Sequence, residues 1–186
     1  MKIYLLDKNQ RMTEYWKIYF SNDKDVEIVC MDFFASMYSH DVECIVSPAN
    51  SFGLMDGGYD LAITNYFGSS LMKEVQKYII ENYNGEQPVG TAFIIDIPNK
   101  KQKLIHTPTM RTPSAIRDPM VVYFAMRETL RIAKKNNVES IVIPAFGGSC
   151  GELDYNIIAK MMKIAFDEYD NVPENITWEY ACRIQF

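Results

Sequence analysis

The sequence predicts an α/β sandwich, on three observations. Short runs rich in Val, Ile, Tyr and Phe alternate along the chain with runs whose apolar residues recur at helical spacing. Twice, an apolar run passes into a glycine-rich loop and then into a helical pattern, at Cys44–Asp60 and at Ile141–Tyr155. No repeat, low-complexity tract or composition break marks a second domain, so residues 1–186 are expected to form one.

Taken in order, Lys2–Leu6 is the first strand. Arg11–Phe20 is a short, aromatic helix, and Val26–Met31 and Glu43–Ser47 are β-branched runs that suit strands. Asp60–Tyr83 places Ile63, Phe67, Leu71, Val75 and Ile79 four apart, which marks one helical face, with Gly68 as a point where the helix can split in two. Thr91–Ile97 and Lys103–Thr107 are further strands. Pro119–Asn136 is a helix opened by Asp118 as cap and Pro119 in the first turn, and closed by Lys134 and Lys135 at the negative end of its dipole. Ser140–Pro144 is a strand, and Asp154–Tyr169 a helix with Ile158, Met161, Met162, Ala165 and Tyr169 on one face. Thr177–Ile184 alternates apolar and polar residues, the pattern of a half-buried or edge strand. The Met and aromatic stripes are core faces, and no cofactor is expected.

Composition narrows the function. A hydrophobic fraction of 48% in 186 residues suits a packed core. No apolar run reaches the length of a membrane span, and the first apolar run is too short for the core of a signal peptide, so a cytoplasmic protein is expected. A formal net charge of −5 disfavours broad nucleic-acid binding, which needs a basic face, but a small anion can still be held by backbone N–H groups. The four cysteines show no C-x-x-C spacing, and Cys30, Cys44 and Cys182 fall in apolar strand-like stretches, where buried free thiols are expected. With two histidines, His40 and His106, no metal site is expected.

The chemistry lies in the two loops. The first runs from Ser47 through Asn50, Asp56, Gly57 and Gly58 to Asp60; the second runs from Pro144 through Gly147, Gly148 and Gly151 to Tyr155. Each follows an apolar strand and opens a helix. Glycine lets a backbone approach an anion, and a helix start presents unpaired N–H groups. Neither loop is a Walker loop or a G-x-G-x-x-G fingerprint. Either Gly-Gly pair alone reads as an ordinary turn. Two such loops at the carboxyl ends of strands in one sheet can face each other across a crevice, which supports a nucleotide or phosphate binder.

The pattern Ser47-Pro48-Ala49-Asn50 followed by Gly57-Gly58-Tyr59-Asp60-Leu61-Ala62-Ile63 resembles the macro-domain signature, Asn-Ala-Ala-Asn followed by a glycine-rich stretch and Val-Asp-x-Ala-Ile. Pro144-Ala145-Phe146-Gly147-Gly148-Ser149-Cys150-Gly151-Glu152-Leu153-Asp154-Tyr155 resembles that family's second loop, in the variant of members that remove ADP-ribose from DNA or protein glutamates. Lys103-Leu104-Ile105-His106-Thr107 is similar to its Ile-His-Thr strand, and Met31-Asp32-Phe33 to its Gly-Asp-Ile. The resemblance implies a three-layer α/β/α sandwich around a mixed, mostly parallel sheet. It also implies a cleft for ADP-ribose or an ADP-ribosylated substrate.

Residue by residue, the resemblance makes Asp32 the reader of the adenine amine, beside Phe33, and Asn50, beside Ala49, the residue that orients the distal ribose and, with Asp60, a candidate catalytic residue. Asp60 is either a catalytic group near the anomeric carbon or the N-cap of the helix that follows. Gly57, Gly58, Gly147, Gly148 and Gly151, with Ser149 and Cys150, cradle the diphosphate. Asp56 is a weaker member of the site. Phe146 covers the ligand or belongs to the core. Cys150 has no histidine near in sequence, so a nucleophile's role is not expected of it, and His106 is expected to satisfy a strand-end hydrogen bond. Ser47, Pro48, Met55 and Asp56 depart from the signature. Three functions are therefore open: a hydrolase of an ADP-ribosyl linkage, a non-catalytic ADP-ribose reader or sequestering module, and a scaffold whose glycine loops are only turns.

Overall fold

The computed structural model describes residues 1–183. The strands are β1 (Lys2–Asp7), β2 (Val26–Cys30), β3 (Cys44–Ser47), β4 (Phe93–Asp96), β5 (Lys103–His106) and β6 (Ser140–Pro144). The helices are α1 (Gln10–Tyr19), α2 (Phe33–Ser39), α3 (Gly58–Phe67), α4 (Ser70–Tyr83), α5 (Met120–Lys135), α6 (Tyr155–Glu168) and α7 (Trp178–Ala181).

The strands form one sheet in the order β2-β1-β6-β3-β5-β4, parallel throughout except for the antiparallel pairing of β4 with β5. The period of two along a strand then sorts the core into two layers. Ile3, Leu5, Cys44, Val46, Ile105, Ile141 and Ile143 pack with Met12 and Trp16 of α1, Leu130 of α5 and Met162 of α6. Their neighbours Leu6, Ile45, Leu104 and Val142 point the other way, against Phe33 of α2, Ile63 of α3 and Val75 of α4. Apolar residues on both faces explain why these strands read as continuous hydrophobic runs. The result is the expected three-layer sandwich.

Local chemistry accounts for most helix ends. Asn9 caps α1 by accepting from Arg11 N, and Asp154 caps α6 by accepting from Asn156 N. Asp118 accepts from Met120 N at the start of α5, as its place before Pro119 predicts. Gly68, at φ +99°, ends α3, so the long amphipathic stretch is indeed two helices.

Phe33–Ser39 forms α2, which no periodicity announced; Asp32 caps it by accepting from Ala35 N. The strand expected at Thr177–Ile184 is instead α7, capped by the Thr177 hydroxyl, with Trp178 fully out in solvent; Ile184 lies outside the described residues. Of the thiols expected to be buried, Cys44 is, with burial pushing its pKa up to about 12, whereas Cys30 and Cys182 are exposed. Among the described residues, no helix is long and apolar enough to cross a membrane.

Candidate functional site

The carboxyl ends of β2, β1, β6 and β3 open into one cavity of about 590 Å³, within the usual range for a small-molecule site. Asp32 and Phe33 line one end, where β2 turns into α2, and Ala49 and Asn50 line the side above β3. Between them lie Asp56, Gly57, Gly58 and Asp60 of the first loop and Gly147, Gly148, Ser149, Cys150 and Gly151 of the second. The structure thus brings together every residue singled out from the sequence except Phe146. That ring has no exposed surface and sits in the core beneath α5 and α6, so it does not cover the cavity.

Both loops present bare main chain. Among the described residues, none of the amides from Phe146 to Gly151 donates a hydrogen bond, and neither do those from Asp56 to Asp60. The second run is the unsatisfied start of α3, whose cap is Gly57 and carries no side-chain oxygen. Unsatisfied amides at a helix start and in a glycine turn are the backbone's means of holding an anion. Close packing keeps the second loop in shape. A Cβ on Gly151 would lie 2.5 Å from Gly147 O and 2.7 Å from Gly147 Cα, and Gly147 itself has φ +81°.

Asp60 lies in the first turn of α3 and does not cap it, which removes that reading of the residue. Its carboxylate instead accepts a 2.6 Å hydrogen bond from the Ser47 hydroxyl. Burial raises its pKa from 3.8 to about 7, against the smaller lowering by that hydroxyl. Ser47, a departure from the signature, is therefore the group that orients the acid. Asn50 is buried and engaged with its own loop: Nδ2 donates to Leu54 O at 2.8 Å, while Oδ1 accepts from Phe52 N and Leu54 N.

His106, the last residue of β5, stands beside Ser47 of β3 and does not line the cavity. Its Nδ1 is 2.6 Å from Gln87 Oε1 and its ring stacks on Phe93, so it is the strand-end hydrogen-bonding group expected. Burial lowers its pKa to about 3, which keeps it neutral.

Two parts of the cavity had no signal in the sequence. The turn after β1 contributes Asp7, Lys8 and Asn9, and the loop after β5 contributes Thr109, Met110 and Pro113. That second loop ties the two glycine-rich loops together. Ser51 N donates to Met110 O and Arg111 O, the Thr109 hydroxyl donates to Pro48 O, and Ile116 N donates to Gly151 O. A strand end without glycine or a motif carries no mark of such a role.

The family model for the macro domain matches residues 46–162. The chain belongs to the macro domain family. It is 34% identical over 124 residues to an uncharacterized protein of Aquifex aeolicus, covering 66% of this chain and 71% of that one. It is 34% identical over 107 residues to a protein of Escherichia fergusonii named O-acetyl-ADP-ribose deacetylase, covering 56% of this chain and 59% of that one. The Oceanobacillus iheyensis macrodomain solved with ADP superposes with a TM-score of 0.59 at 23% identity, covering 67% of each chain. Membership of this family implies ADP-ribose binding. The segment of a macro domain that the family model matches starts inside β3, so the cavity walls built by β1, β2 and α2 lie outside it.

Proposed function

We propose that this macro domain binds ADP-ribose in the cavity and hydrolyses an ADP-ribosyl linkage on a protein, a nucleic acid or a small metabolite. The observation that carries the reading is that two runs of unbonded amides, Asp56–Asp60 and Gly147–Gly151, line one cavity together with the buried Asp60 carboxyl group. The amides hold the diphosphate without adding basic side chains, which fits a net charge of −5. Asp32 takes the adenine amine at one end, and Ala49 and Asn50 frame the distal ribose at the other. Asp60 is the reacting group. With a pKa of about 7 it is partly ionised at neutral pH, where a carboxylate can take a proton from water or steady positive charge growing on the sugar. Ser47 holds it in place. The name carried by the Escherichia fergusonii relative supports an ester of ADP-ribose as one substrate class.

A second reading, a reader without turnover, is favoured by Asn50. Its amide oxygen and one amide hydrogen are already engaged in shaping the first loop, which suits a rigid binding residue. One experiment separates the two. Calorimetry with ADP-ribose, AMP and NAD measures binding, and free ADP-ribose is then assayed after incubation with O-acetyl-ADP-ribose and with ADP-ribosylated protein and DNA. Hydrolysis predicts release that Asp60→Ala abolishes while binding persists. Micromolar binding with no release from any substrate leaves the reader; no binding at millimolar ADP-ribose refutes both.

A further inference from the structure

Four parallel strand ends border the cavity side by side, and they carry different chemistry. Asp32 lies two residues past the end of β2, Asp7 ends β1, the bare amides of Phe146–Gly151 follow β6, and Ala49 and Asn50 follow β3. Asp7 pairs in register with Cys30, and Leu6 with Pro144, so Asp7 stands between the Asp32 end and the second glycine loop. ADP-ribose has four parts in sequence: adenine, ribose, diphosphate, ribose. If the ligand lies as proposed above, on which this inference rests, the end of β1 falls opposite the ribose joined to adenine.

The groups at that point suit a sugar. The Asp7 carboxylate accepts from Asn9 N at 2.8 Å and lies against the Lys8 backbone amide, which leaves acceptor capacity on its oxygens for a ligand hydroxyl. Beside it is Tyr59, which lines the cavity and stands where the family signature has Val. Its ring is fixed edge-on against Phe33, with centroids 5.4 Å apart. Its hydroxyl is buried and has no hydrogen-bond partner, which is costly and calls for an explanation. Burial, with the Asp60 and Asp7 carboxylates nearby, raises the phenol's pKa well above its usual value, so it stays a donor. An acid acceptor next to a phenol donor repels a phosphate oxygen but matches a hydroxyl, which both donates and accepts.

We propose that Asp7 and Tyr59 form a subsite for the adenosine ribose, Asp7 accepting from a ribose hydroxyl and Tyr59 donating to one. The subsite selects ligands whose ribose hydroxyls at this position are free. It rejects those carrying a phosphate or a further unit on the 2′ oxygen. Lys8, which also lines the cavity, is the opposing influence.

The test is calorimetry on the full chain with ADP-ribose and with ADP-ribose 2′-phosphate. Wild type is expected to bind ADP-ribose about tenfold tighter or more than its 2′-phosphate. Asp7→Asn keeps an oxygen for Asn9 N, and is expected to weaken ADP-ribose binding severalfold and to narrow the gap between the ligands. Tyr59→Phe is expected to weaken ADP-ribose binding about threefold to tenfold with an equal or higher thermal midpoint, because it removes only an unpartnered hydroxyl. Equal affinity of wild type for the two ligands overturns the subsite and makes Lys8 dominant. Wild-type affinities in both variants overturn it as well. A wild type that binds neither ligand refutes the ADP-ribose reading itself, which is a different result from wild-type binding without discrimination.

Discussion

Replacing Asp60 by Asn tests the electrostatics of the site without disturbing its shape. An Asn side chain keeps an oxygen for the Ser47 hydroxyl, which now bonds the carboxylate at 2.6 Å. In the unfolded chain the acid ionises near 3.8, and in the folded protein near 7. A carboxyl group whose pKa is raised by folding favours the native state at low pH. That contribution drains away as pH climbs from about 4 to about 7, and above 7 the native state bears the full cost of an enclosed anion. The span is about three decades in proton affinity at about 1.4 kcal/mol each, so about 4 kcal/mol is an upper bound. Asp60 keeps some surface at the cavity wall, where water lowers the cost, and about 2 kcal/mol or more is expected. Urea unfolding of both proteins at pH 4.5, 6 and 8 reads it. The stability gap between variant and wild type should be smallest at pH 4.5 and widen toward that amount at pH 8, while turnover is lost at every pH. Taking the difference between the two proteins cancels other titrating groups, His106 included. A stability difference that does not change with pH would refute the argument that burial of this acid is what raises its pKa.

Other expectations follow from the same geometry. If Asp60 works as a base, wild-type kcat/KM should rise with pH and level off above about 7, as steady-state release of ADP-ribose between pH 5 and 8.5 would record. Gly151→Ala puts a methyl group 2.5 Å from a backbone oxygen that has nowhere soft to retreat, so the second loop must reshape; ADP-ribose affinity should fall at least about tenfold by calorimetry, with a stability loss of about 1–3 kcal/mol in urea. His106 has its pKa lowered to about 3, so its stabilising effect is complete above about 6.5 and is lost as pH falls toward 3; His106→Gln should lose less stability than wild type between pH 6.5 and 4 by thermal melts.

The fold was legible where the period of the apolar residues was long enough to count. The strands that became β1, β2, β3, β5 and β6 were read to within a residue or so, and in β3, β5 and β6 burial of both faces leaves continuous runs such as Ile141-Val142-Ile143. α2 was not legible: it has seven residues, with Phe33 and Ser36 buried, too few turns to display a stripe, and Asp32 as its one sequence mark. Thr177–Ile184 misled because alternation records a pattern and not burial; Trp178, Glu179 and Tyr180 close into a single exposed turn behind Thr177. In the cavity, glycines betrayed the loops because only they permit such close approach of one backbone to another. Phe146 stayed open between a cover for the ligand and a core residue because its neighbours are loop residues, and its side chain turns into the core. Ser47, Asp7 and Tyr59 came into view only in three dimensions, since their roles depend on partners far along the chain.

The loop that follows β5 gives the cleft a fixed span. Because one continuous stretch of backbone is fastened to Pro48 and Ser51 on one wall and to Gly151 on the other, the walls cannot drift apart before a ligand arrives. The ordering that a floppy gorge would demand at the moment of capture has already taken place during folding. Recognition should thus proceed with little main-chain rearrangement, and any loosening of this tie, even at a position that never meets the guest, should appear as weaker capture.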